Sequence, residues 1–199
     1  ILKNFTFKLF SLFILFTSIV SCSDKEISEG IIEFEISYPV KNYDSFMSKL
    51  MPKKMKMTFK NNIYKNEVTM GRFFSSSVIA DCNKKEMIMI LNLPPNKIYT
   101  CLNEEETREM LKLYPTPDLI TSKYMDTVLS VFCAKHYGIY ENLEDGHDVE
   151  LLECKNIKIS NSNWCNQYNA LNGVLLGYEV SQFGLNMKFK AISIDTESE

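Results

Sequence analysis

The chain has 199 residues, 22 basic and 25 acidic side chains, a formal net charge of −3 and 45% hydrophobic composition. That length fits one domain with a real buried core. Lysines scattered among acids leave no basic stripe for a nucleic-acid backbone, so nucleic acid is not an expected partner, and no internal repeat or long Pro/Gly/Ser linker divides the chain.

The first segment is an address. Lys3 and Lys8 flank the start of an apolar run, Leu9 to Val20, which ends in Ile19-Val20-Ser21-Cys22 and is followed by polar Ser23-Asp24-Lys25-Glu26. The run is too short to span a bilayer comfortably, and it stops at small residues in front of a cysteine, with no acid before it. This resembles the lipobox of bacterial lipoproteins, which implies a signal peptide over 1–21, lipid attachment at Cys22 and a lipidated tether over 22–29. Without residues 1–21 the formal charge is −5, because two lysines and no acids are lost. One acyl chain gives marginal membrane binding and two or three give stable anchoring. The expected placement is the bacterial cell envelope, on the periplasmic or surface face of the outer membrane, with no transmembrane helix.

From residue 30 the pattern is that of an antiparallel sheet. Ile32, Phe34, Ile36 and Tyr38 alternate with polar residues, as do Met55, Met57 and Phe59, which is the period of half-buried strands. Residues 63–70, 74–82, 86–92 and 97–102 continue as a meander, with turns at 83–85 and 94–96. Short helices are predicted over Asp44–Met51, ended by Pro52, and from Glu104 to about Leu113, where Asn103 is a cap and Glu104, Glu105 and Glu106 form an acidic first turn. Met110, Leu111 and Leu113 are its apolar face. Residues 162–170 carry Trp164 and Tyr168 and are predicted as another turn or two of helix. Residues 173–181 and 185–194 form a hairpin, and 195–199 is an acidic tail. The class is therefore mainly β (α+β), with one face of the sheet covered by helices and the other solvated.

Five cysteines follow Cys22. Cys133 and Cys154 fall nearly opposite each other if a hairpin turns around 142–146, so they are the candidate disulfide; Cys82 and Cys101 sit two strands apart, too far to bridge. The alternative for all of them is a small buried hydrophobe. No Cys-x-x-Cys, no His-Glu-x-x-His, no Gly-x-Ser-x-Gly elbow and no phosphate-cradling glycine loop occurs. The histidines are His136 and His147. The acidic run 144–150 around His147 lacks the alternation of a calcium loop and reads as a solvated turn. No catalytic residue, metal ligand or cofactor is expected, and a hydrolase in an unrecognised arrangement is the weakest of three readings.

The runs Gly30–Pro39, Leu50–Asn61 and Leu171–Val180 resemble small envelope lipoproteins of Bacteroidota-type bacteria, similar to the GLPGLI-type families and, more distantly, to the LolA/LolB-like carriers. That resemblance implies a curved antiparallel half-barrel with a few short helices on its concave face, and it carries over no catalytic residue. Met47, Met51, Met55, Met57, Met70, Met87 and Met89 concentrate in the first half. Alternation accounts for several of these as core; as an adaptable lining they would instead accept an apolar chain. The leading expectation is a non-enzymatic binder of an apolar or lipid-like ligand. The rival is a structural or accessory subunit docking on an envelope protein partner through a sheet edge or the 104–113 helix.

Overall fold

The computed structural model describes residues 26–39, 51–71, 74–140, 148–182 and 185–196. Cys22 and the 1–21 segment, residues 44–50 of the first expected helix, and the 141–147 turn with His147 lie outside them. The strands are β1 (Glu29–Ser37), β2 (Lys54–Lys60), β3 (Ile63–Met70), β4 (Phe74–Asp81), β5 (Glu86–Leu93), β6 (Asn96–Leu102), β7 (Asp118–Val128), β8 (Val131–Ile139), β9 (Asp148–Cys154), β10 (Val174–Gln182) and β11 (Leu185–Asp195); one helix, α1 (Glu104–Leu111), joins β6 to β7. All strands belong to one antiparallel sheet in the order β6-β5-β4-β3-β2-β1-β11-β10-β9-β8-β7. Two meanders thus meet where the first strand pairs with the last, and the mainly β expectation holds.

Period-two alternation places the core. Ile32, Phe34 and Ile36 of β1, Met55, Met57 and Phe59 of β2, and Phe189 and Ala191 of β11 are buried in one cluster. Their neighbours in sequence form a solvated opposite face, with exposed cross-strand pairs such as Lys60 to Glu29 at 2.5 Å; pairs of this kind contribute little to stability. The cover on the apolar face is the 155–173 segment between β9 and β10, whose Ile157, Ile159, Trp164 and Cys165 join the same cluster. Residues 26–29, expected as tether, are docked as well. Ile27 pairs with Ile157, donating to Asn156 O at 2.9 Å and accepting from Lys158 N at 2.7 Å, because its apolar side chain packs against the core.

The expectation of several helices is corrected: among the described residues there is one. Residues 160–170 form successive turns, because asparagine side chains take the bonds a helix would use. Asn166 Oδ1 accepts from Tyr168 N at 2.8 Å, and Asn163 Nδ2 donates to Leu171 O and Gly173 O at 2.9 Å, which is how Asn competes with helical backbone. In α1 the expected cap is present as a full capping box, with Asn103 Oδ1 accepting from Glu106 N at 3.0 Å and Glu106 Oε2 accepting from Asn103 N at 2.9 Å. The helix ends at Leu111. Met110 packs on the core, whereas Leu113, expected on the packed face, lies beyond the last helical turn and is 80% exposed.

Two hairpin turns place both central residues at positive φ: Asn61 and Asn62 (55° and 65°) between β2 and β3, and Leu129 and Ser130 (50° and 66°) between β7 and β8. Asparagine suits this conformation and leucine does not. Replacing Leu129→Asn with Ser130→Gly is expected to stabilise the protein by about 1–2 kcal/mol, read as a higher denaturant midpoint at unchanged slope; a lower midpoint would show that the half-exposed Leu129 side chain outweighs the backbone term.

Candidate functional site: an uncharged cavity under the 155–173 segment

A cavity of about 350 Å³ lies between the sheet, α1 and the 155–173 segment. Its floor is set by strand register. Met57 of β2, Asn66 of β3, Val78 of β4 and Met89 of β5 stand side by side on one face, and the next rungs carry Met55 with Val68 and Ser76, and Phe59 with Tyr64, Ala80 and Met87. Tyr178, Val180, Met187 and Phe189 of the β10–β11 hairpin form one wall, and Met110, Leu111 and Tyr114 another. Tyr178 stacks on Phe189 at 4.7 Å and meets Phe34 edge-on at 6.0 Å, which stiffens the wall between the two meanders. Among the described residues, six methionines line the space, Met55, Met57, Met87, Met89, Met110 and Met187, and no Asp, Glu, Lys, Arg or His does. Met55, Met57, Met87 and Met89, for which strand alternation left core and lining both open, line the cavity, and Met55, Met57 and Met87 are also buried in the core cluster.

The polar groups at the cavity roof are committed to holding the covering segment. Ser162 Oγ and Asn163 Nδ2 donate to Gly173 O at 2.9 Å, Asn166 Nδ2 donates to Asn163 Oδ1 at 3.1 Å, and Gln167 Nε2 donates to Tyr140 OH at 2.7 Å. Tyr64 OH and Cys165 Sγ are 3.0 Å apart, and Asn62 Oδ1 accepts from Ser160 N at 2.6 Å. Asn66 is different. Its Oδ1 is buried and has no hydrogen-bond partner. Residue-type reading passed over it, although a polar residue at the apolar phase of Tyr64-x-Asn66-x-Val68 is a detectable signal.

His136 and Glu153 form a second buried polar group, on β8 and β9. Glu153 Oε2 is 3.1 Å from His136 Nε2, Oε1 accepts from Gly173 N at 2.7 Å and Asn172 N at 3.0 Å, and His136 Nδ1 bonds Thr121 Oγ1 at 3.0 Å. Both side chains are buried; His136 bonds the side chains of Thr121 and Glu153, and the Glu153 carboxylate anchors the end of the covering segment through the Asn172 and Gly173 amides.

Cys133 and Cys154 stand directly opposite each other in register, both fully buried, as free thiols. Cys133 Sγ donates to Val131 O at 3.6 Å, and the close approach of the two sulfurs lowers Cys154 and raises Cys133. Cys82 is pushed up to about 12 by burial and by neighbouring Cys165, and burial raises Cys165 and Tyr64 too. Cys101 is exposed on β6. No helix among the described residues is long and apolar enough to cross a membrane.

No family model matches the chain, and no curated protein sequence does. Its fold is similar to a solved structure of PNGF-II, with a TM-score of 0.54 and 12% identity over 86% of this chain and 28% of that one. The chain spans under a third of that protein's length, and the likeness concerns the fold alone.

Removing the anchor with Glu153→Ala strands two backbone donors and is expected to cost about 2–5 kcal/mol, measured by urea unfolding. The buried Tyr64, Cys82 and Cys165 cluster favours its protonated forms when folded. Its contribution to stability is therefore full below the ordinary thiol value of 9.0 and lost as pH rises through about 12. Denaturant midpoints should fall over that window, and Cys82→Ala should flatten the fall; an unchanged slope would remove the cluster as its cause.

Proposed function

We propose that the chain is a non-enzymatic, lipid-anchored envelope protein that holds an apolar or lipid-like ligand between its sheet and the elements folded over it. The observation that carries this reading is the uncharged, methionine-lined cavity of about 350 Å³, within the range of about 300–1,000 Å³ found for ligand pockets. Methionine is unbranched and polarizable, so such a lining adapts to a flexible chain. Anchoring rests on the Leu9–Val20 run before Cys22 and places the cavity near a membrane.

The proposed architecture is the curved half-barrel with α1 and the 155–173 segment on its concave side. Chain length supports the curvature. Ten inter-strand gaps separate β6 from β7, about 48 Å if the sheet were flat. Residues 103–117, eight of them in α1, reach at most about 40 Å. A sheet whose two ends approach each other resolves the shortfall.

A second reading, an accessory subunit docking through a sheet edge, draws on the exposed apolar residues Ile98 and Tyr99 on β6 and Tyr124, Met125 and Phe132 on β7 and β8, since uncovered strand edges invite pairing.

The eleven strands and the cavity lining of the described residues lie between residues 26 and 196, so Ser23–Glu199 contains them. Native mass spectrometry on that polypeptide, purified from an envelope-expressing host without detergent, is expected to show an added mass that extracts into organic solvent. Met89→Trp, placed at the partly open edge of the cavity floor, is expected to fold and lose it. A bare mass that stays bare after incubation with phospholipids and fatty acids would overturn ligand holding and favour the docking reading.

A further inference from the structure

We infer that the cavity selects a neutral, single-chain amphiphile whose head group donates a hydrogen bond to Asn66 Oδ1, such as a long-chain alcohol, monoacylglycerol or N-acyl amide. This rests on the ligand-holding reading and specifies its ligand.

The first argument is charge. Among the described residues, none lining the cavity is a Lys, Arg or His. A carboxylate or phosphate head drawn inside would lose its water and meet no cation, and burying an unpaired charge is strongly unfavourable. An ammonium head fails in the same way, since no Asp or Glu among the described residues faces it.

The second argument is the position and unmet valence of Asn66. It stands in register between Met57 and Val78, in the middle of an otherwise apolar rung. Neither strand stability nor packing asks for an amide there. The other polar side chains at the roof are engaged: Ser162 and Asn163 with backbone, Asn166 with Asn163, and Gln167 with Tyr140 OH. Asn66 Oδ1 is buried without a partner. An orphaned acceptor in a buried site is destabilising until a donor reaches it, and a site built this way discriminates against analogues that lack the donor. An acceptor calls for O–H or N–H, which an alcohol, glycerol or amide head provides and an ether or alkane does not.

The third argument is size. A volume of about 350 Å³ is at the small end of ligand pockets, about 300–1,000 Å³. It suits one acyl or alkyl chain better than the two chains of a phospholipid. The six methionines surround the space on the floor and both walls, and on that floor, which also carries Ser76, the buried, unpartnered Asn66 Oδ1 is the acceptor against which the head group registers.

The test compares three ligands of equal chain length on Ser23–Glu199: hexadecanol, its methyl ether, and hexadecanoate at about pH 8, where the carboxyl group is ionised. Affinities are read by competition in native mass spectrometry, for the wild type and for Asn66→Leu. Hexadecanol is expected to bind about fivefold or more tightly than the ether, and hexadecanoate more weakly than both. Asn66→Leu is expected to abolish the preference for alcohol over ether while still binding the ether, which also reports that the variant is folded. Equal binding of alcohol and ether to the wild type would overturn the role of Asn66. So would a preference that survives in Asn66→Leu, and tighter binding of hexadecanoate would overturn selection for a neutral head. In each of those outcomes ligand holding itself stands. Failure of all three ligands to bind either protein would overturn the ligand-holding reading and this inference with it.

Discussion

The structure depends on the pairing of the first strand with the last. β1 and β11 run antiparallel from Ile31 opposite Asp195 to Ser37 opposite Lys188, with one irregularity at Glu33/Phe34. On one side of that seam the chain meanders outward through β2 to β6, and on the other it returns inward from β7 to β10. Neither meander makes the cavity alone. The first supplies the floor on β2 to β5, the second the wall on β10 and β11, and the edge-on contact of Phe34 with Tyr178, which itself stacks on Phe189, crosses the seam. The covering segment is tied to both halves, through Asn62 on the first and Glu153 on the second. Every part of the candidate site is therefore conditional on one long-range strand pair.

Much of the sheet was legible because its central strands are half buried. β1 to β6 and the β10–β11 hairpin alternate apolar and polar residues, or are bounded by turn signals, and their positions follow within a residue or two. β7 was not legible, since most of its side chains are exposed and an edge strand with little buried surface has no alternation to display. The β7–β8 turn hid it further: Leu129-Ser130 adopts the conformation that Asn-Gly normally announces. The 162–170 segment failed for the opposite reason. Its aromatic spacing suggests a helix, but its asparagines bond to nearby backbone and favour turns, and this packed, irregular stretch forms the cavity roof.

At the site the sequence carried composition and not arrangement. The methionines were visible, yet strand periodicity says only that a side chain faces the covered side of a sheet, not whether another atom fills the space above it. That depends on where α1 and the 155–173 segment come to rest, which is set by contacts between residues a hundred positions apart, such as Tyr64 with Cys165. The opposition of Cys133 and Cys154 was predictable because a hairpin converts a short separation into a register. The His136–Glu153 contact is a diagonal of the same ladder, and Glu153 spends its other oxygen on the Asn172 and Gly173 backbone amides, so its role is that of a tether.

The methionine lining also fixes what kind of damage the cavity is open to. Oxidation turns a thioether into a sulfoxide, a polar and chiral group that an apolar chain cannot pack against. Met89 is 36% exposed and offers a first point of attack. A surface of thioethers that adapts to many chains is therefore also one that an oxidant can make polar without unfolding the sheet, and recovery would depend on enzymatic reduction of the sulfoxide.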